Sequence, residues 1–131
     1  MNQRLEPAGW APPVGYANCI AAKGRNVYIA GQIGWNAQQK FETMDLAGQF
    51  GKALENILAV LAEAGGKAEH ICRMTCFCTD KDEYLAKRKA IGAEWKRVIG
   101  RHFPAMSMIF VVALLDEGAK IEIEATAVVP D

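Results

Sequence analysis

Net charge, long apolar runs and cofactor signatures are all missing from this chain. Fifteen basic and fifteen acidic residues cancel across 131 positions. No net field is therefore available to hold a polyanion, which weighs against general nucleic-acid binding. The longest uninterrupted apolar run after Ser107 is Met108 to Leu115, far short of the roughly 20 residues that a membrane helix needs. Met1-Asn2-Gln3-Arg4-Leu5-Glu6 holds no apolar signal core, so a cytoplasmic protein without membrane attachment is expected. Gly31-Gln32-Ile33-Gly34 lacks the spacing and helix context of a dinucleotide loop, and no phosphate-binding Gly-Lys-Ser/Thr occurs. No cofactor is expected. Paired catalytic histidines and a basic groove with stacking aromatics are not evident either. With no internal repeat, linker or low-complexity segment, residues 1–131 read as one domain. A chain of this length buries roughly two-thirds of its unfolded surface, enough for a real core.

Four cysteines are present, at 19, 72, 76 and 78, but no Cys-x-x-Cys pair. Cys72, Met74, Cys76 and Cys78 share one strand face, joined by His70 if the strand begins early. Side chains on one strand face point in parallel and do not converge on a tetrahedral centre. Core packing, in which a free cysteine acts as a small hydrophobe, is therefore expected rather than a metal site.

The periodicities alternate between two and 3.6. Residues 1–16, with Pro7, Pro12 and Pro13, read as an irregular arm anchored by Trp10 and Tyr16. Ala17 to Ala22 and Asn26 to Ile33 read as a hairpin turned by Lys23-Gly24-Arg25, followed by a polar connection, Gly34 to Glu42, that contains Trp35. Leu46, Phe50, Leu54, Ile57, Leu58 and Leu61 recur at helical spacing, and Gly65-Gly66 ends that helix. Glu69 to Thr79 is the next strand. Asp80, with Glu83 three residues on, starts a second helix whose apolar stripe is Tyr84, Leu85, Ile91, Trp95, Val98 and Ile99, up to Gly100. Two final strands complete the order ββαβαββ. The fold class is α+β: two helices on one face of a mixed, mostly antiparallel sheet, in two layers.

The last quarter carries the chemistry. Phe103-Pro104-Ala105-Met106-Ser107-Met108-Ile109-Phe110-Val111-Val112 is one strand, and Lys120-Ile121-Glu122-Ile123-Glu124-Ala125-Thr126-Ala127-Val128 is the other. In the second, Glu122 and Glu124 leave on one face while Ile121, Ile123 and Ala125 leave on the other. A buried carboxylate costs several kcal/mol unless it is paired or hydrogen-bonded. Such a pair is therefore either solvated decoration or a site.

This passage resembles the end of the reactive-intermediate deaminase family, RidA or YjgF, whose older names are L-PSP endoribonuclease and translation inhibitor. Val14-Gly15-Tyr16, Val27-Tyr28-Ile29-Ala30-Gly31-Gln32-Ile33, Ala53-Leu54-Glu55-Asn56-Ile57 and Met74-Thr75-Cys76-Phe77-Cys78-Thr79-Asp80 extend the resemblance in register over nearly the whole chain. It implies a chorismate-mutase-like homotrimer whose sheets form a central barrel, with small-molecule clefts between subunits and hydrolysis of a reactive imine or enamine. It implies that Glu122 orients or deprotonates the attacking water, that Gly31 offers backbone contacts and that Tyr16 is the cleft tyrosine. Gly31 could equally be a strand bend under a packed helix, and Tyr16 a packing anchor for the arm. Where the family usually carries an arginine after Pro-Ala to hold the substrate carboxylate, this chain has Met106. A thioether cannot make the bidentate contact of a guanidinium, so Met106 implies an apolar cleft and altered specificity. Trp35 either extends that apolar wall or is an ordinary core aromatic. Arg101 or His102 either replaces the missing cation or serves the end of the second helix. Three functions follow: an imine or enamine deaminase of altered specificity, a non-catalytic small-molecule-binding trimer, and, ranked last, an endoribonuclease or translation inhibitor.

Overall fold

The computed structural model describes residues 2–131. The chain opens with two short strands, β1 (Gln3–Leu5) and β2 (Cys19–Ala21), paired antiparallel with each other. β3 (Arg25–Ile33), α1 (Leu46–Ala62), a 3-10 turn (Ala68–His70), β4 (Ile71–Cys78), α2 (Lys81–Ala86), α3 (Arg88–Val98), β5 (Ala105–Phe110) and β6 (Ile121–Val129) follow. The main sheet has the order β3-β6-β4-β5. β6 runs antiparallel to both neighbours, and β4 and β5 are parallel. The helical crossover between β4 and β5 supplies the length that a parallel pair requires. The fold is α+β with a mixed sheet, as the periodicities indicate.

α1 forms where the apolar stripe lies. Asp45 caps it, accepting from the Gly48 amide at 3.0 Å, and Leu46, Phe50, Leu54, Ile57 and Leu61 are buried, with Leu58 half-buried. Full burial of each such side chain contributes about 1.5–3 kcal/mol. The stripe covers β3 and β6. On β6, Ile121, Ile123, Ala125, Ala127 and Val129 are buried, Glu122 is half-buried and Glu124 is exposed. The alternation read from the sequence is thus realised, and Glu122 leaves on the face away from the helices.

Three local expectations are corrected. Residues 17–22 and 26–33 do not form a hairpin, because β2 pairs with β1 inside the N-terminal arm. β3 begins against Val129 of β6, and Gly24, at φ +151°, is packed against the Val129 carbonyl with no room for a side chain. The chain therefore leaves the main sheet there. The arm is not irregular throughout, since Gln3–Leu5 is a strand. The second helix is divided. Asp80 caps α2, accepting from the Glu83 amide at 2.9 Å, but Lys87 (φ −106°, ψ 12°) breaks the helical path before α3. Ile91, Trp95 and Ile99 are buried and Tyr84 and Val98 half-buried, whereas Leu85 is 46% exposed and drops out of the stripe. No helix among the described residues is long and apolar enough to cross a membrane.

Candidate functional site

Apart from Trp35, the expected site residues Glu122, Gly31, Tyr16 and Met106 fall into two clusters on opposite faces of the sheet. The first lies on the helix-free face, where β3 meets β6. Ile29 pairs with Ala125 and Gln32 with Ile123, so β3 holds one residue more than β6 across this step. This is a β-bulge, and it contains Ala30 and Gly31. Glu122 pairs across with Ile33 and Phe77, and its side chain lies directly over Gly31. A β-carbon at 31 would stand 2.7 Å from Glu122 Cδ and 2.9 Å from its Cγ. The missing side chain at 31 therefore makes the seat for the Glu122 carboxylate. Gly31 is exposed and is not covered by a helix. The glycine beneath a packed helix is Gly34, where a β-carbon would lie 2.6 Å from Gln49 Cα. Gln49 is fully buried, donating to the carbonyls of Thr43 and Gly118 and accepting from the Lys120 amide.

The second cluster lies on the helix side, at the outer edge of β5. The Ala17 amide donates to the Pro104 carbonyl at 3.0 Å, and Ala17 bridges Ala105 in parallel. The arm thus continues the sheet past β5 and brings Tyr16 beside Met106. The arm is tied on its other side by Glu6, whose carboxylate accepts from Arg4 Nε at 2.8 Å and from Asn18 Nδ2 at 2.6 Å. Arg4 also donates to the Tyr16 carbonyl. These donors hold the Glu6 carboxyl below the usual carboxylate range, the Arg4 hydrogen bond being the largest cause. Met106 pairs with buried Met74 of β4 and so faces the helices. Tyr16 and Met106 share a hollow of about 210 Å³ with Gly15, Tyr84 and Met108. It opens into a groove of about 560 Å³ floored by Phe50, Ile91, Trp95 and Phe103.

Trp35 belongs to neither cluster. It bridges Phe41 within its own loop, ring centroids 5.8 Å apart, and its carbonyl accepts from Asn56 Nδ2 at 2.9 Å. Arg101 lines the groove. His102 is turned away, its Nε2 lying 2.7 Å from the Ile71 carbonyl. Arg73 and Glu124 line a separate hollow on the helix-free face with Tyr28 and Thr75. Met74, Cys76 and Cys78 are core residues. Burial pushes the Cys76 thiol up to about 12. His70 leaves the strand face for the 3-10 turn, where its Nδ1 accepts from the Lys67 amide. No cluster of three metal-ligating side chains occurs among the described residues.

Two groups escaped the sequence reading. Asn56 clamps the end of β3 by donating to the Ile33 and Trp35 carbonyls, both at 2.9 Å. An amide side chain beside the buried α1 stripe was the available signal. Tyr84 and Arg88 line the groove, one on each side of the break at Lys87.

The family model described as Endoribonuclease L-PSP matches residues 7–129. A Drosophila melanogaster protein named RutC family protein UK114 is 33% identical, over 97% of this chain and 89% of that protein. The 2-iminobutanoate/2-iminopropanoate deaminase of Escherichia coli K12 is 32% identical over 80% of each. The crystal structure of YyfB from Yersinia pestis, a Rid-family protein described as of unknown function, superposes with a TM-score of 0.87 at 31% identity, covering 98% of both chains.

Proposed function

The chain belongs to the RidA/YjgF family, and on that footing we propose that it is a hydrolytic deaminase of a reactive imine or enamine. The observation that carries this reading is the Glu122 carboxylate seated over bare Gly31, which leaves backbone and carboxylate together on one open surface. Imine hydrolysis asks for little more than a positioned water and hydrogen bonds to the substrate. Water oxygen bonds to the imine carbon while Glu122 takes a water proton and passes it to the nitrogen, giving a carbinolamine. The carboxylate then carries the remaining hydroxyl proton to the amine, and the C–N bond breaks as the C=O bond forms, leaving ammonia and a carbonyl product.

The two clusters are on opposite faces of one chain, so the reading requires assembly. In a homotrimer, Glu122 and Gly31 of one subunit meet Tyr16 and Met106 of the next, and the helix-free faces close a central barrel. The four cysteines are all free, in keeping with a cytoplasmic setting, and residues 1–131 act as one domain. Met106 removes the usual carboxylate anchor and shifts specificity. The same residue favours the second reading, a trimer that binds a small molecule without turnover. The endoribonuclease reading stays last, because both histidine rings are engaged with backbone groups.

Ammonia release from a panel of acidic and neutral imines generated in situ, measured on protein shown to sediment at three times the 14.3 kDa chain mass, tests this reading. Acceleration that is lost in Glu122→Gln is expected. Equal turnover in Glu122→Gln would remove Glu122 from the mechanism, and no turnover by folded trimer would leave the binding protein.

A further inference from the structure

The groove beside Met106 has cations on its rim and an aromatic floor. Trp95 and Phe103 stack there at 5.9 Å with planes 7° apart, and Ile91 and Phe50 complete an apolar surface. Arg88, Lys96 and Arg101 stand around it, and none of the three makes an ion pair among the described residues. Arg97, next to Lys96, shows the contrast. It projects from another side of α3 and is paired with both Glu55 and Glu94. No carboxylate is among the residues that line the groove.

Arg88 is the cation best placed to act near Met106. Arg88 and Tyr84 line the wide groove together, and Tyr84 also lines the narrow hollow that holds Tyr16 and Met106. Arg88 thus shares the wide compartment with a residue that belongs to both. The wide part, about 560 Å³, lies within the range of small-molecule sites, about 300–1,000 Å³. It is far larger than a two- or three-carbon side chain needs.

We propose that this groove takes the side chain of an aromatic or branched 2-imino acid, and that Arg88, supported by Arg101, holds the substrate carboxylate in place of a residue at 106. The imine carbon then sits in the narrow hollow beside Tyr16 and Met106. A guanidinium offers the planar, bidentate contact that a carboxylate matches, and the stacked floor of Trp95 and Phe103 accepts an aromatic ring. The imine chemistry rests on the deaminase reading above. The binding geometry does not.

Calorimetric titration separates the two. The probe is phenylpyruvate, the 2-oxo counterpart of an aromatic 2-imino acid, compared with its methyl ester and with pyruvate. Phenylpyruvate is expected to bind more tightly than either. Arg88→Gln is expected to weaken it roughly ten- to hundredfold, the loss typical of a charge-assisted contact, with Arg88→Lys recovering part of the loss. A second variant acts by shape alone. Gly92 lines the groove, and a β-carbon there meets nothing within 4 Å, so Gly92→Leu is accommodated by the helix and is expected to exclude phenylpyruvate while sparing pyruvate. Equal affinity for acid and ester, or full affinity in Arg88→Gln, would overturn the proposal even if ammonia release depends on Glu122. Arg88-dependent binding without ammonia release from any imine would sink the deaminase reading and leave the groove assignment standing.

Discussion

Two glycines three residues apart, Gly31 and Gly34, are expected to respond to the same substitution in opposite ways. At Gly34 an alanine β-carbon would lie 2.6 Å from Gln49 Cα and 2.7 Å from Gln49 Cβ, against about 3.5–4.0 Å for ordinary carbon contacts. The obstacle is the backbone of α1, and Gln49 is itself tied to Gly118 and Lys120 by hydrogen bonds of 2.8 Å. Relief means lifting α1 from the sheet by about 1 Å. Overpacking of this kind costs about 1–3 kcal/mol and occasionally more. At the upper figure, the melting temperature of a chain this size falls by roughly 10 °C. At Gly31 the obstacle is the far end of the Glu122 side chain, which can swing aside, so Gly31→Ala is expected to change stability by less than about 1 kcal/mol. The displaced carboxylate is the one assigned to the attacking water, and a misplacement of about 1 Å can cost on the order of 100-fold in rate. Urea unfolding and ammonia release, run on both variants, check the pair. If Gly31→Ala unfolds as early as Gly34→Ala, or hydrolyses imines at the parental rate, the assignment of Gly31 as the seat of a working carboxylate is wrong.

Gln49→Leu keeps the volume of a buried side chain but strands the Lys120 amide and the Gly118 carbonyl; a loss of about 3 kcal/mol in urea unfolding is expected, since each buried group left unsatisfied costs about 1–3 kcal/mol. Alkaline pH is expected to destabilise the fold through Cys76. Its thiol ionises near 9 in the unfolded chain and only near about 12 when folded, because burial disfavours the thiolate. The folded state therefore holds the proton that the unfolded state releases, and the contribution is complete below pH 9 and lost as pH rises toward 12. Between about pH 8 and about pH 10.5 the parent should lose roughly 2 kcal/mol more than Cys76→Ala. Equal losses in the two proteins would show that this thiol ionises freely in the fold.

The local rules were legible where each side chain reports its own environment. The α1 stripe, the Asp80 cap and the alternation of Glu122 with Ile121 and Ile123 are decided within a few residues, so the sequence carries them directly. What it did not carry are the consequences of non-local pairing. β1 is three residues, Gln3-Arg4-Leu5, too short and too polar to show a period, so its claim on β2 went unseen. Lys87 breaks a helix with neither glycine nor proline to announce it. The bulge at Ala30 and Gly31 is a property of the β3–β6 register, not of β3. The separation of Glu122 from Met106 follows from β6 and β5 flanking β4 with their relevant side chains on opposite faces, and no one-strand pattern can express that. Trp35 was grouped with Met106 by type and loop position, but its backbone is claimed by Phe41 and Asn56 instead.

Methionine at position 106, where the family resemblance implies an arginine, suits a groove that Arg88 also lines. Met106 pairs with buried Met74 and packs on the core, and it shares its groove with Arg88, Lys96 and Arg101. An arginine at 106 would bring a fourth cation into a groove whose three rim cations already lack carboxylate partners among the described residues, and like charges brought together repel. Methionine relieves that repulsion, and its flexible thioether fills the irregular gap between Tyr16 and Met108. On the proposed assignment the carboxylate anchor lies on α3, in the wider compartment, and not on β5. Under that proposal Met106 and the size of the groove serve the same end, which is room for a ring beside the anchored carboxylate.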